Sequence, residues 1–147
     1  MKYTITRLSQ KHLTQEFFEA LMNLSKSVQV SIPRARQTFK KIQRNKNQVH
    51  LVAVDQRGMV LGLTTLILEQ KFVHNFRMMG HIEDVVVRPA YERRGIGRAL
   101  IRQAIAEAKK AGCYRLRLFC ADHNLPFYRK AGFRPHENAM QLDLIKK

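Results

Sequence analysis

Apolar and polar residues alternate over positions 3–8, which predicts a first β-strand. Leu13, Phe17, Leu21 and Leu24 then recur at near-helical spacing, with Phe18 and Met22 widening the stripe, so residues 12–24 read as an amphipathic helix. Ser31 followed by Pro33 marks a second helix start, because proline fits the first turn, where its missing N–H would have no partner anyway. That helix runs to Arg44 with Ala35, Phe39 and Ile42 turned inward. Residues 49–54 and 60–68 read as strands joined through a 55–58 hairpin turn, with Gly58 at positive φ. Residues 69–79 break the apolar pattern and either extend the strand or form a long loop. A dense β-branched strand follows at 82–87 and ends at Pro89. From Gly95 to Ala111 the period becomes helical: Leu100, Ala104, Ala108 and Ala111 form one stripe, Ile96, Ile101 and Ile105 lie beside it, and Gly112 stands at the C-cap. Residues 114–120 read as a strand, 124–131 as a short helix closed by Gly132, and 139–145 as a last alternating strand. Strands and helices interleave, with hairpins at both ends, which predicts one α/β domain over residues 1–147 with helices on both faces of a mixed sheet.

Composition narrows the class. A chain of 147 residues with 45% apolar content buries one substantial core and is not disordered throughout. The apolar run at 59–68 contains Gly62 and threonines and is too short to span a bilayer, and the N-terminal stretch lacks the apolar core of a secretion signal. A cytoplasmic protein with no membrane partner is expected. Cys113 and Cys120 fit no paired ligand spacing and read as buried free thiols, with no metal site. Lys and Arg total 27 against 11 Asp and Glu, a net charge of +16 that concentrates anionic partners around the chain. Nucleic acid, an acidic surface, or a phosphorylated substrate with a phosphorylated cofactor all fit, as does a merely solvated basic surface.

The most informative segment joins the 82–87 strand to the following helix. After Pro89 and Tyr91, the sequence Arg93-Arg94-Gly95-Ile96-Gly97 opens that helix. Glycines there let a ligand approach the backbone, first-turn N–H groups point outward, and the helix dipole favours an anion. Two arginines add phosphate donors. The spacing lacks the third glycine of a dinucleotide fingerprint and the Gly-Lys-Ser/Thr ending of a P-loop. The bland alternative is that Gly95 and Gly97 only ease the packing of helix on sheet.

The stretch from Val85 to Leu100, Val-Val-Val-Arg-Pro-Ala-Tyr-Glu-Arg-Arg-Gly-Ile-Gly-Arg-Ala-Leu, resembles the acyl-coenzyme A motif of the GNAT superfamily. The resemblance implies the GNAT fold, a single domain with a central mixed, mostly antiparallel twisted sheet flanked by helices. It also implies acetyl-CoA as acyl donor, with the backbone of Val85, Val86 and Val87 pairing with its pantetheine arm. The N–H groups of Arg93, Arg94, Gly95, Ile96, Gly97 and Arg98 would hold its pyrophosphate. Glu92 stands where that family usually has Arg or Gln. Several further segments are similar to glucosamine 6-phosphate N-acetyltransferases: Glu69-Gln70-Lys71-Phe72-Val73-His74, Gly80-His81-Ile82-Glu83-Asp84, Gly112-Cys113-Tyr114-Arg115, and Asn124 with Phe127-Tyr128-Arg129-Lys130-Ala131-Gly132-Phe133. This implies an amino-sugar pocket lined by Lys71, Phe72, Val73, His74, Glu83, Asp84, Tyr114, Arg115 and Glu137, partly reached from the second subunit of a homodimer. Asn124, Tyr128, Arg129 and Lys130 would face the coenzyme. The chain departs from that pattern at Phe119, where the family places a glutamate, and at Leu142 and Asp143, where it places arginines.

An ammonium group has no free lone pair, so attack on a thioester requires a proton acceptor near the amine. Glu83 and Asp84 are the catalytic candidates for that task, but neighbours in a regular strand face opposite ways, so both reach one pocket only if the strand is irregular. Tyr128, the third candidate, can donate a proton to the departing thiolate; its alternative is a core tyrosine packed by Phe127 and Phe133. His74 reads as a substrate contact, and His81 has no assigned role. The expected reaction is transfer of an acetyl group to the primary amine of a small anionic molecule. A protein, peptide or polyamine amine is the second reading and a basic nucleic-acid-binding module the third, the last weakened because Phe and Tyr fall mainly at apolar-periodic positions rather than among the basic residues.

Overall fold

The computed structural model describes residues 1–26 and 28–144. One five-stranded sheet organises the chain: β1 (Tyr3–Arg7), β2 (Gln48–Asp55), β3 (Val60–Gln70), β4 (Met78–Val87) and β5 (Cys113–Leu118) lie side by side in sequence order. Neighbours are antiparallel except β4 and β5, which run parallel because the intervening helix α3 (Ile96–Lys110) carries the chain back across the sheet. Helices α1 (Gln15–Leu24) and α2 (Ile32–Gln43) cover the opposite face, and a short helix α4 (Leu125–Arg129) follows β5.

The alternation along each strand divides the core into two layers. Leu51, Leu61, Leu66 and Ile82 face α3, where they meet its buried stripe of Ile96, Leu100, Ile101, Ala104 and Ala108. Val52, Val54, Val60, Leu63 and Val86 face α1 and meet Ala20, with Phe17 and Leu21 packed against them. Helix α2 seals less tightly: Phe39 is buried, while Ala35 and Ile42 line a cavity left between the helix and the sheet. The β2–β3 hairpin turn follows the expected chemistry; Asp55 Oδ1 accepts the N–H groups of Arg57 and Met59, each at 2.9 Å, and Gly58 sits at φ 82°.

Several expectations need correction. The first helix begins at Gln15 rather than at residue 12, because His12 closes a separate turn: its Nδ1 accepts the Ser9 N–H at 3.0 Å, and Thr14 stands at the helix N-cap. Residues 69–79 do both things offered for them, since β3 continues to Gln70, β4 starts at Met78, and His74, Asn75 and Phe76 between them adopt φ of 55°, 57° and 59°. Cys113 and Cys120 are free thiols but only half-buried. The last strand is absent. β5 stops at Leu118 and residues 139–144 form no strand; Met140, Leu142 and Leu144 are 98%, 81% and 88% exposed, so the alternating apolar side chains have no sheet face of this chain to cover. Ile145 lies outside the described residues. No helix among the described residues is long and apolar enough to cross a membrane.

Close packing of β3 on β4 depends on Gly62, where an added Cβ would stand 2.6 Å from the Val86 carbonyl oxygen and 3.1 Å from Val87 Cα. Backbone cannot yield as a flexible side chain can, so Gly62→Ala is expected to destabilise the fold by about 1–3 kcal/mol in urea denaturation. Unchanged stability would show that the two strands separate freely at this point.

Candidate active site

Strand β4 has two different edges. Towards β3 it is paired along its length, whereas towards β5 the ladder stops at Ile82 opposite Leu118. The strands then diverge, and the backbone of Glu83 to Val87 presents its β5-side edge to the gap without a ladder partner among the described residues. An extended amide-containing chain fits such an edge as an added strand would.

At the point of divergence β4 is bulged. Glu83 pairs with Thr65, but the next pair is Val86 with Leu63, and Asp84 sits at φ 53°. The consequence shows in the core: Ile82, Val85 and Val87 all pack in the α3 layer while Val86 packs in the α1 layer, so alternation skips one residue between Ile82 and Val85. Glu83 lies across from Thr65 and shares its face, and Asp84 lines the same cavity as Thr65. The strand irregularity that would bring both carboxylates to one side is therefore present. Thr64 fixes it by donating its hydroxyl to the Glu83 carbonyl at 3.1 Å.

The glycine turn follows. Gly95 takes φ 81° as the N-cap of α3, and Arg93 before it takes φ 59°. The first turn of α3 contains no acidic residue, so its N–H groups and positive dipole end remain available to an anion. Arg94 and Arg88 flank the ring of Tyr91 at 5.7 and 5.4 Å from its centre. Gly97 packs closely against α4, since a Cβ there would stand 3.3 Å from the Phe127 ring, while Val87 of the sheet lies at an ordinary 3.7 Å. Helix α1 braces the turn from the other side: Asn23 Nδ2 donates to the Val87 carbonyl at 3.0 Å and to Glu92 Oε1 at 3.3 Å, and Glu19 pairs with Arg88. The departure at Glu92 thus has a partner of its own, pointing towards α1. Neither Asn23 nor Glu19 carries a sequence signal, because their partners are more than sixty positions away.

One opening adjoins this strand at Asp84, and a second adjoins β5. On the α1–α2 side is the cavity of about 330 Å³, whose walls are mostly apolar and whose polar floor is Thr64, Thr65, His50 and Asp84. His50 is a polar lining residue that the sequence does not single out. Its Nε2 faces Gln48 Oε1 at 3.3 Å and its Nδ1 faces the Thr65 hydroxyl at 3.0 Å, a pattern that suits neutral imidazole with the proton on Nε2. Burial pushes its pKa down, against a weaker upward pull from Asp84. On the β5 side is a broader groove of about 850 Å³, lined by Arg115, Tyr128, Arg129 and Glu137 among others. Tyr128 is 8% exposed and edge-packed by Phe127 and Phe133 at centroid distances of 4.9 and 6.1 Å. Burial, with a smaller contribution from Cys120, raises its phenol above the usual 10, so it stays protonated. Asn124, Arg129 and Lys130 are exposed around α4.

The expected amino-sugar residues are only partly gathered. His74 stacks on Tyr114 at 4.3 Å, and Arg115 lies over the same ring at 5.5 Å. Lys71 is tied to Glu69 at 2.7 Å, and Glu69 also binds His81 Nε2 at 2.8 Å, which gives His81 a structural partner. Phe72 and Val73 are 88% and 59% exposed. Glu137 stands apart, pairing with Arg117 at 3.7 Å and His136 at 3.4 Å. Phe119 is 68% exposed just past β5, and Asp143 accepts a hydrogen bond from Gln141 at 2.6 Å. Lys146 lies outside the described residues.

A sheet splayed at β4 and β5, with a glycine-started helix at the mouth, is the frame on which an acyltransferase family is built. Residues 12–133 match the acetyltransferase (GNAT) family, and the chain belongs to it. Within that family it is 45% identical over 87 residues to the glucosamine 6-phosphate N-acetyltransferase of Trypanosoma brucei brucei, a segment covering 59% of each protein. The matched segment is thus less than two thirds of that curated relative. Among solved structures, an acetyltransferase of Trypanosoma brucei is 34% identical with a TM-score of 0.88, over 97% of this chain and all of the other. The glucosamine-6-phosphate N-acetyltransferase of Arabidopsis thaliana is 25% identical with a TM-score of 0.93, over 99% of this chain and all of the other.

His12, which is buried, and His50, which is half-buried, give the fold a pH dependence. His50 and His12 both have pKa values lowered by burial from the ordinary 6.5, so in the acid range each takes up a proton more readily in the unfolded chain. Their cost is absent above the ordinary value and grows as pH falls below it, so stability declines on acidification from about pH 7.5 to 5.5. Urea denaturation across this range checks the slope, and His50→Gln should flatten it. A profile equally steep in that variant would remove His50 as a cause.

Proposed function

We propose that this chain is an acetyl-CoA-dependent N-acetyltransferase acting on the primary amine of a small anionic molecule, with glucosamine 6-phosphate the first candidate. The observation that carries the reading is the unpaired β5-side edge of Glu83–Val87 running directly into the left-handed turn at Gly95 and the start of α3. Val85, Val86 and Val87 would bind the pantetheine amides, and the backbone from Arg93 to Arg98 the pyrophosphate. Asn124, Arg129 and Lys130 would flank the coenzyme.

Acetyl-CoA, when bound, supplies a thioester whose acyl carbon the free amine attacks and whose thiolate leaves. Asp84, on the bulge at the cavity floor, would hold the ammonium group and accept its proton, with Glu83 beside it. Tyr128, kept protonated by burial, would give its proton to the leaving sulfur. Lys71, His74, Tyr114 and Arg115 would surround the acceptor's anionic end. The amino-sugar assignment is supported by the two relatives of that activity.

A homodimer is part of this reading. Met140, Leu142 and Leu144 alternate and are exposed beyond β5, which has one paired edge, so a second copy offers the sheet face that this chain lacks. Light scattering should return twice the monomer mass, and Leu142→Lys should shift it towards one; a monomer at every concentration would remove the second subunit from the site.

Release of free coenzyme thiol across a panel of amines tests the activity. Turnover is expected with glucosamine 6-phosphate and not with peptide N-termini or polyamines; the reverse pattern would transfer the acceptor to the second reading. Tyr128→Phe should lower kcat roughly 100-fold while leaving coenzyme affinity nearly unchanged. An unaltered kcat would confine Tyr128 to the core.

A further inference from the structure

Between Glu19 and Asp55 the sequence contains no acidic residue, yet it carries Arg34, Arg36, Lys40, Lys41, Arg44 and Lys46. All six are exposed, on α2 and the turn after it. None takes part in an ion pair recorded among the described residues. Arg36, Lys40 and Arg44 follow one another at four-residue steps and so form a single row along the helix, about 6 Å apart. Gln37 and Lys41 make a second row beside it.

Like charges at this spacing destabilise a helix, and α2 has no acidic neighbour to offset them. The coenzyme does not account for the row, since the start of α3 lies on the other face of the sheet. A bilayer surface is a poor match as well. The apolar residues Ala35, Phe39 and Ile42 are turned to the cavity and core, which leaves the outer face nothing to insert among lipid chains. That face also has no aromatic ring on which an unpaired base could stack. What remains is a straight row of cations with amide donors beside it, spaced much like the phosphates of a regular strand.

We propose that the outer face of α2 docks duplex nucleic acid through its phosphate backbone, without reading base sequence. The site is separate from the acetyl-transfer centre and does not depend on the assignment of that activity. Binding rests on Arg36, Lys40, Lys41 and Arg44, with Gln37 and Gln43 as neutral donors to phosphate or sugar oxygens.

Fluorescence anisotropy of the full chain with short DNA and RNA duplexes, over a range of salt, tests this. Affinity should fall steeply with salt and be indifferent to base sequence; binding of one duplex type alone would assign the source of the phosphates. Lys40→Glu is the informative variant, because it sets a carboxylate between Arg36 and Arg44, one helical turn from each. The helix should then gain thermal stability while the slope of log affinity against log salt falls by about 1 or more. Arg44→Gln should weaken binding in the same direction, and acetyl transfer should be unchanged in both. Lys110→Glu makes the same change in net charge on another helix and should leave binding close to the parent. The proposal is overturned by no duplex binding at low salt, by parent-like binding of Lys40→Glu and Arg44→Gln, by an equal loss in Lys110→Glu, or by tighter binding to phosphatidylserine vesicles than to either duplex.

Discussion

Strand β4 belongs to two neighbours, and it cannot satisfy both along its whole length. Its pairing with β3 continues to Val87, which holds it in the sheet, while its pairing with β5 ends at Ile82. Beyond that residue the backbone N–H and C=O groups on one edge must find water or a ligand, because a backbone group left unpaired away from water is costly. An extended amide chain laid along that edge completes the sheet. The location of the site is therefore set by a hydrogen-bonding deficit in the scaffold, before any side chain is considered. The glycine turn adds the second half: a ligand that satisfies the edge and continues towards α3 meets unpaired N–H groups and a positive helix end.

The bulge and the brace keep that edge in place. Without the extra residue at Asp84, Val85 would exchange faces with Val86, and the apolar sets seen in both core layers could not both be buried. Burial on the two faces thus enforces the left-handed backbone at Asp84, and Thr64 adds a specific hydrogen bond to it. Helix α1, which walls the cavity at Asp84, is tied to the end of β4 through Asn23 on the Val87 carbonyl and Glu19 on Arg88. Movement of α1 on substrate entry would be felt at the start of the glycine turn, because both contacts lie within a few residues of it.

Much of this was legible in the sequence, for identifiable reasons. The two-residue and 3.6-residue periods located the strands and α3, since side chains two apart on a strand share one of the two core layers and α3 buries one stripe against the sheet. The glycines at 95 and 97 announced the turn, since positive φ and close packing both exclude most side chains. Over 139–144 the alternation is a real apolar pattern without a sheet partner among the described residues, and periodicity alone cannot say whose sheet it completes. Asn23 and Glu19 were illegible because their partners are distant in sequence, and His50 because its place on the cavity floor depends on the pairing of β2 with β3. Glu83 and Asp84 were visible as a pair, but only the Thr65–Glu83 register revealed that they need not point apart.

Tyr128 joins the two halves of the molecule. Its ring belongs to the same core layer as Leu100, Ile101 and Ala104, whose helix begins at the glycine turn. Packing of the ring between Phe127 and Phe133 fixes the direction of its hydroxyl, and the same burial that gives it a place in the core keeps that hydroxyl protonated. The core reading of this tyrosine holds, and it is compatible with the proposed catalytic one. In the proposed reaction a freely exposed phenol would have to be oriented at each turnover, whereas one held by two rings and a helix would already be oriented when the thiolate forms. The position of the hydroxyl is thus inherited from the packing of α3, α4 and the sheet, and it moves only if that packing moves.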